Sequence, residues 1–115
     1  PVFVSSERLL GFSGVQATGS AELQLKGSTL RVTRLDGRGV VLLDVRAERL
    51  RALEVQEGQT LLLAPSLLVG WHGAVFPAEH EDQARPELAF EGQGYLLVDP
   101  TPANRYVLTQ TPSFG

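Results

Sequence analysis

The sequence predicts an all-β chain, a β-sandwich built from two related units within a single domain spanning residues 1–115. Three observations carry this expectation. Apolar runs are short, mostly three to seven residues, and are punctuated by 12 glycines and 7 prolines spread along the chain. Several runs alternate apolar and polar residues with a period of two, which marks a half-buried strand. A pair of glycine motifs occurs twice, in the same order.

The elements follow in sequence. Val2–Val4 and Arg8–Phe12 are the first apolar runs. Glu22–Lys26 alternates, with Leu23 and Leu25 on one face, and Thr29–Leu35 does the same with Leu30 and Val32. Val40–Val45 is continuously apolar up to Asp44. The segment Arg46–Val55 carries two periods. Ala47, Leu50 and Leu53 recur every third residue, whereas Leu53 and Val55 alternate, and we assign one strand there. Thr60–Ala64, Leu67–Trp71, Ala74–Phe76, Glu87–Phe90, Tyr95–Val98 and Arg105–Thr109 complete the strand set. No other segment supports a helix of ten residues or more.

Turn chemistry supplies the punctuation. Asp36-Gly37 and Glu91-Gly92 lie between apolar runs, and Glu57-Gly58 precedes Gln59–Leu63. Glycine takes positive φ without a Cβ clash, so acidic-Gly pairs favour hairpin turns. Gly37, Gly39, Gly58, Gly92 and Gly94 are therefore predicted turn residues, with Asp36–Gly39 and Glu91–Gly94 as hairpin corners.

The same motifs define the repeat. Gly11, Phe12 and Gly14 match Gly70, Trp71 and Gly73 at an offset of 59, and Val2–Val4 matches Leu61–Leu63 at that offset. Asp36–Gly39 matches Glu91–Gly94 at an offset of 55. The units are about 1–49 and 50–115. Repetition of a motif too short to bury its own apolar face points to architecture. A phosphate loop does not fit, because no Gly-Lys-Ser/Thr follows and Val40–Val45 reads as a strand where a helix would have to begin.

Composition narrows the function classes. The net charge is −3 with 20% charged residues, which gives no basic surplus for phosphate neutralisation, so no nucleic acid partner is expected. There is no cysteine, which removes disulfides, thiolate metal sites and cysteine nucleophiles. The longest apolar run, Leu61–Trp71, is interrupted by Pro65 and Ser66 and is too short to span a bilayer. With no signal-peptide pattern, a soluble cytoplasmic protein is the expectation.

Candidate chemistry is sparse. His72, His80 and Glu79 are the residues that could seed a metal site of His/carboxylate type. Adjacent strand residues point to opposite faces, so Glu79 and Glu81 cannot both join His80 in an extended segment. A solvated acidic connection is the preferred reading. Ser13, Ser66 and Ser113 lie in no nucleophile elbow. We therefore predict no catalytic residue and no cofactor. Phe12 and Trp71, at matching positions, are expected to be core or interface aromatics, and sheet edges left bare favour a homo-oligomer.

Leu35–Asp44, Leu53–Val75 and Leu88–Pro100 together resemble the altered-inheritance-of-mitochondria family, whose bacterial members are mostly of unknown function. The resemblance rests on Gly-x-Gly-apolar segments, an acidic-Gly turn before an apolar strand, and the Gly-aromatic step at Gly70-Trp71, and covers about Thr29 to Asp99. It implies a double-stranded β-helix related to the tryptophan RNA-binding attenuation protein (TRAP), with TRAP-like units in ring-like or trimeric assemblies. It carries over no catalytic residue, and neither RNA nor tryptophan binding. The expected function is a non-enzymatic, oligomeric binding or scaffolding module. The alternatives are a cupin-like metal-dependent enzyme or small-molecule binder, and a TRAP-like nucleic-acid binder.

Overall fold

The computed structural model describes residues 1–25, 28–80 and 87–101, without the side chains of Leu25, Ser28, Glu79 and His80. Seven strands account for most of it: β1 (Val2–Ser5), β2 (Leu9–Leu25), β3 (Ser28–Leu43), β4 (Arg51–Val55), β5 (Leu61–Leu63), β6 (Leu68–His80) and β7 (Glu87–Val98). Single 3-10 turns, Ser6–Arg8 and Pro65–Leu67, link β1 to β2 and β5 to β6. No α-helix occurs among the described residues, and the ambiguous Arg46–Val55 segment ends in β4. The predicted run Arg105–Thr109 and residues 81–86 of the acidic connection lie outside the described residues.

All strands join one antiparallel sheet in the order β2-β3-β1-β6-β7-β4, with β5 also paired to β7. The pairings of the two halves correspond. Val2, Phe3 and Val4 of β1 face Leu35, Arg34 and Thr33 of β3. Leu61, Leu62 and Leu63 of β5 face Phe90, Ala89 and Leu88 of β7, the same relation shifted by 59 and 55 residues. Phe12 faces Val41 as Trp71 faces Leu96, and each strand has a register shift just before, at Leu9/Gly11 and Leu68/Gly70. The Asp44 and Asp99 amides donate to the Arg8 and Leu67 carbonyls in matching fashion. The two registers differ by one residue over Val15–Ala17 and coincide again from Gly19, whose pairing with Arg34 matches that of Ala78 with Ala89.

Two expectations are corrected. The predicted short strands fuse, so that Arg8–Phe12 and Glu22–Lys26 fall largely within the single 17-residue β2. The glycine motifs are not hairpin corners either. Gly37 and Gly39 lie inside β3, and Gly92 and Gly94 inside β7, while the hairpin connections run from Leu25 to Ser28 and from His80 to Glu87. Positive φ is used in mid-strand: Gly37 (106°) lies against Gly14 (84°), and Gly92 (115°) near Gly73 (92°). At Gly14 it accompanies a β-bulge, the register shift between Ser13 and Val15, which bends a long strand without ending it, whereas the β6–β7 register runs unbroken past Gly73 and Gly92. A Cβ on Gly39 or Gly92 would also run into the Ser13 or Ala74 carbonyl oxygen of the neighbouring strand. Gly58 differs, since it sits at the tip of the β4–β5 connection, where the Gln59 amide donates to the Gln56 carbonyl at 3.1 Å.

One contiguous core crosses the sheet. It joins Leu30 and Val32 of β3 with Val55, Leu63, Leu68, Trp71, Val75, Leu88, Phe90, Leu96 and Val98. Nine of these eleven come from the second half of the chain.

Candidate functional site

An apolar groove lies at the seam where β1 meets β6. Phe3 stands opposite Trp71 in register, and their rings stack at 5.1 Å with an interplanar angle of 14°. Phe90 meets Trp71 edge-on at 5.7 Å. Ala21 and Leu23 of β2, Val32 of β3 and Phe76 and Pro77 of β6 complete a groove of about 250 Å³. No lining side chain is titratable, and the indole N–H of Trp71 is the one polar side-chain group among them. Such a groove holds an apolar group by contact and supplies no acid, base or nucleophile.

The seam also explains an inequality between matching positions. Val69 is fully buried and Trp71 is 3% exposed, whereas their counterparts Leu10 and Phe12 are 59% and 43% exposed. Leu68 and Leu96 are buried, whereas Leu9 and Val41 are only half-buried. Residues opposite each other on paired strands share a face, so Phe12 and Val41 form one surface equivalent to that of Trp71 and Leu96. In the second half β1 lies along β6 and covers this surface. Among the described residues no strand lies along the corresponding edge of β2.

Polar groups do not converge on a catalytic arrangement. His72 is exposed and stacks on Tyr95 at 5.3 Å. A cleft of about 500 Å³ beside it is bordered by Glu54, Gln56, Glu57, Gln93 and Tyr95, acidic and amide groups with no cation. Among the described residues no group of three or more His, Asp or Glu is placed to hold a metal. The side chains of Glu79 and His80 lie outside the described residues, and their backbones end β6 opposite Leu88 and Glu87. Ser13 is exposed on β2. Ser66 contributes its backbone carbonyl to Arg8.

Arg8 is the feature that sequence reasoning missed. Its side chain is 1% exposed. Nη1 donates to the Asp44 carbonyl at 3.0 Å, and Nη2 donates to the carbonyls of Ser66 (3.1 Å), Asp99 (3.0 Å) and Thr101 (2.7 Å). The fully buried Asp99 carboxylate lies 3.9 Å from Nη1 and accepts from the amides of Arg46 and Thr101 at 2.6 and 2.8 Å. Arg8 thus ties the ends of β3 and β7, the last strands of the two halves, to one guanidinium. A planar fork with five donors can serve several carbonyls at once, which an ammonium cannot. The available signal was a mismatch in the repeat, because the counterpart of Arg8 is Leu67.

Asp99 carries a pH signature. Burial, the largest influence, pushes its pKa up, but the amides of Arg46 and Thr101, the Thr101 hydroxyl and the Arg8 charge together hold it below the ordinary value. The unfolded chain, at about 3.9 for Asp, then binds a proton more readily than the folded one. The stabilisation is present above that value and is lost as pH falls through the lower folded value. Wild-type protein should lose stability below about pH 4, and Asp99→Asn should show a shallower acid slope in denaturant melts. Equal acid slopes would contradict this role.

No helix among the described residues is long and apolar enough to cross a membrane. Models of known families, curated proteins and solved structures give no match to this chain.

Proposed function

We propose that the protein is a non-enzymatic β module that works by self-association, as a scaffold or binding platform. The observation that carries the reading is the exposure of Leu10 and Phe12 where their counterparts Val69 and Trp71 are buried. An apolar strand edge left open in water is an association surface. The finer architecture belongs to the same proposal. Two related units would form a TRAP-like double-stranded β-helix, as in the altered-inheritance-of-mitochondria family, and the matched registers of β1–β3 and β5–β7 support this. Self-association also accounts for a core concentrated in the second half, since a partner would complete the first.

Phe12 is exposed in the single chain, so Phe12→Glu should leave the chain folded. The variant is expected to run at the chain mass of 12.4 kDa by light scattering, with unchanged far-ultraviolet circular dichroism, where the wild type runs at a multiple of it. A wild type at 12.4 kDa would refute the reading, and a variant that keeps a multimeric wild-type mass would rule out the Leu10–Phe12 edge as the association surface.

A further inference from the structure

The β1–β3 and β5–β7 pairings correspond between the halves, whereas among the described residues the β1–β6 seam and the β4–β7 pairing have no counterpart. Within the chain β1 pairs antiparallel with β6, through Val2 opposite His72, Phe3 opposite Trp71 and Val4 opposite Gly70. By its pairing with β7, β5 is the counterpart of β1, and by its pairing with β3, β2 is the counterpart of β6. Among the described residues, however, β5 pairs with β7 alone and β2 with β3 alone. Among the unpaired edges of the described residues, which include β4 at the end of the sheet, those of β5 and β2 are the counterparts of the joined β1 and β6 edges, and the β1–β6 seam states how they would fit each other.

We propose that β5 of one copy pairs antiparallel with β2 of the next, with Leu61 opposite Ser13, Leu62 opposite Phe12 and Leu63 opposite Gly11. This register is the β1–β6 register shifted by the repeat offset of 59 in both strands. The inference rests on the reading of the protein as a self-associating module and names the surface and the partner, a second copy of this chain. The side chains agree with it. Leu62 is 46% exposed and would lie against the exposed Phe12 of the neighbour, as Phe3 lies against Trp71 within the chain. Glycine occupies the matching position in both seams, Gly70 opposite Val4 and Gly11 opposite Leu63. At Gly70 a Cβ would strike the Phe3 carbonyl across the strands. The contact joins different surfaces on the two copies, so it is head-to-tail, and identical repetition closes into a ring when the rotation allows.

The absence of cysteine makes the test clean. Directly opposed residues of an antiparallel pair have Cα atoms about 4.5–5.5 Å apart, within the reach of a disulfide. Phe12→Cys and Leu62→Cys proteins, mixed and oxidised, are expected to give covalent dimer at least ten-fold above either protein alone. The double variant should give covalent species larger than a dimer. As a second readout, Phe12→Glu and Leu62→Lys should each reduce the wild-type mass, and mixing them should restore it. If Phe12→Cys crosslinks to itself as well as it does to Leu62→Cys, the contact is face-to-face and the inference is overturned. A multimeric wild type with no 12–62 crosslink and no charge-swap rescue overturns this register while leaving self-association standing. A monomeric wild type overturns both.

Discussion

Arg8→Met is expected to destabilise the chain by about 3–5 kcal/mol, the range for removing one partner from a buried ionic cluster. Met has comparable length and fills the space with apolar atoms, so the loss reports the hydrogen bonds more than a cavity. Four carbonyls, of Asp44, Ser66, Asp99 and Thr101, would lose their guanidinium donor, and the Asp99 carboxylate would lose its nearest buried cation. Each buried polar group left unpaired costs about 1–3 kcal/mol, so the estimate holds even if some carbonyls find water. Arg8→Lys should fall between the wild type and Arg8→Met, because one ammonium keeps the charge but cannot reach all four oxygens. Urea melts of the three proteins check the order. Wild-type stability in Arg8→Met would show that the cluster is not what joins the ends of β3 and β7.

Gly92→Val is the second large effect, at about 3 kcal/mol or more. Two costs combine. Gly92 has φ 115°, a conformation open to glycine and strained for a β-branched residue. Its Cβ would also meet the Ala74 carbonyl oxygen and crowd Phe76 Cδ2 at 3.3 Å. Gly58 separates the two costs. It also has positive φ, at 86°, but nothing lies within 4 Å of its Cβ position. Gly58→Val should therefore bear only the backbone strain, about 1–3 kcal/mol. Thermal melts of the pair decide the matter, and equal losses would remove the close strand approach as a cause.

The sequence made some of this legible, and the reasons for the rest are physical. Alternation identified the first half of β3, Thr29–Leu35, since Leu30 and Val32 are core residues with Arg31 exposed between them. Of the five predicted turn glycines, Gly37, Gly58 and Gly92 have positive φ, but only Gly58 sits in a turn, and Gly37 and Gly92 lie inside strands. A hairpin corner and a glycine inside a long strand can use the same conformation, and local sequence does not separate them. Strand lengths failed for the same reason, because Gly11, Gly14 and Gly19 look like interruptions, yet β2 passes through all three. The repeat placed Phe12 and Trp71 at matching positions. It did not say that one is exposed and the other buried, because that depends on which strand lies alongside. Arg8 was hidden in an apolar run, and a buried arginine held by backbone carbonyls leaves no side-chain motif.

The central claim is that one chain presents two unpaired, complementary strand edges and is completed by another copy. Light scattering of wild-type protein across a concentration series tests it most directly. The expected result is a discrete mass that is an integer multiple, greater than one, of 12.4 kDa. A mass of 12.4 kDa at every concentration would contradict it.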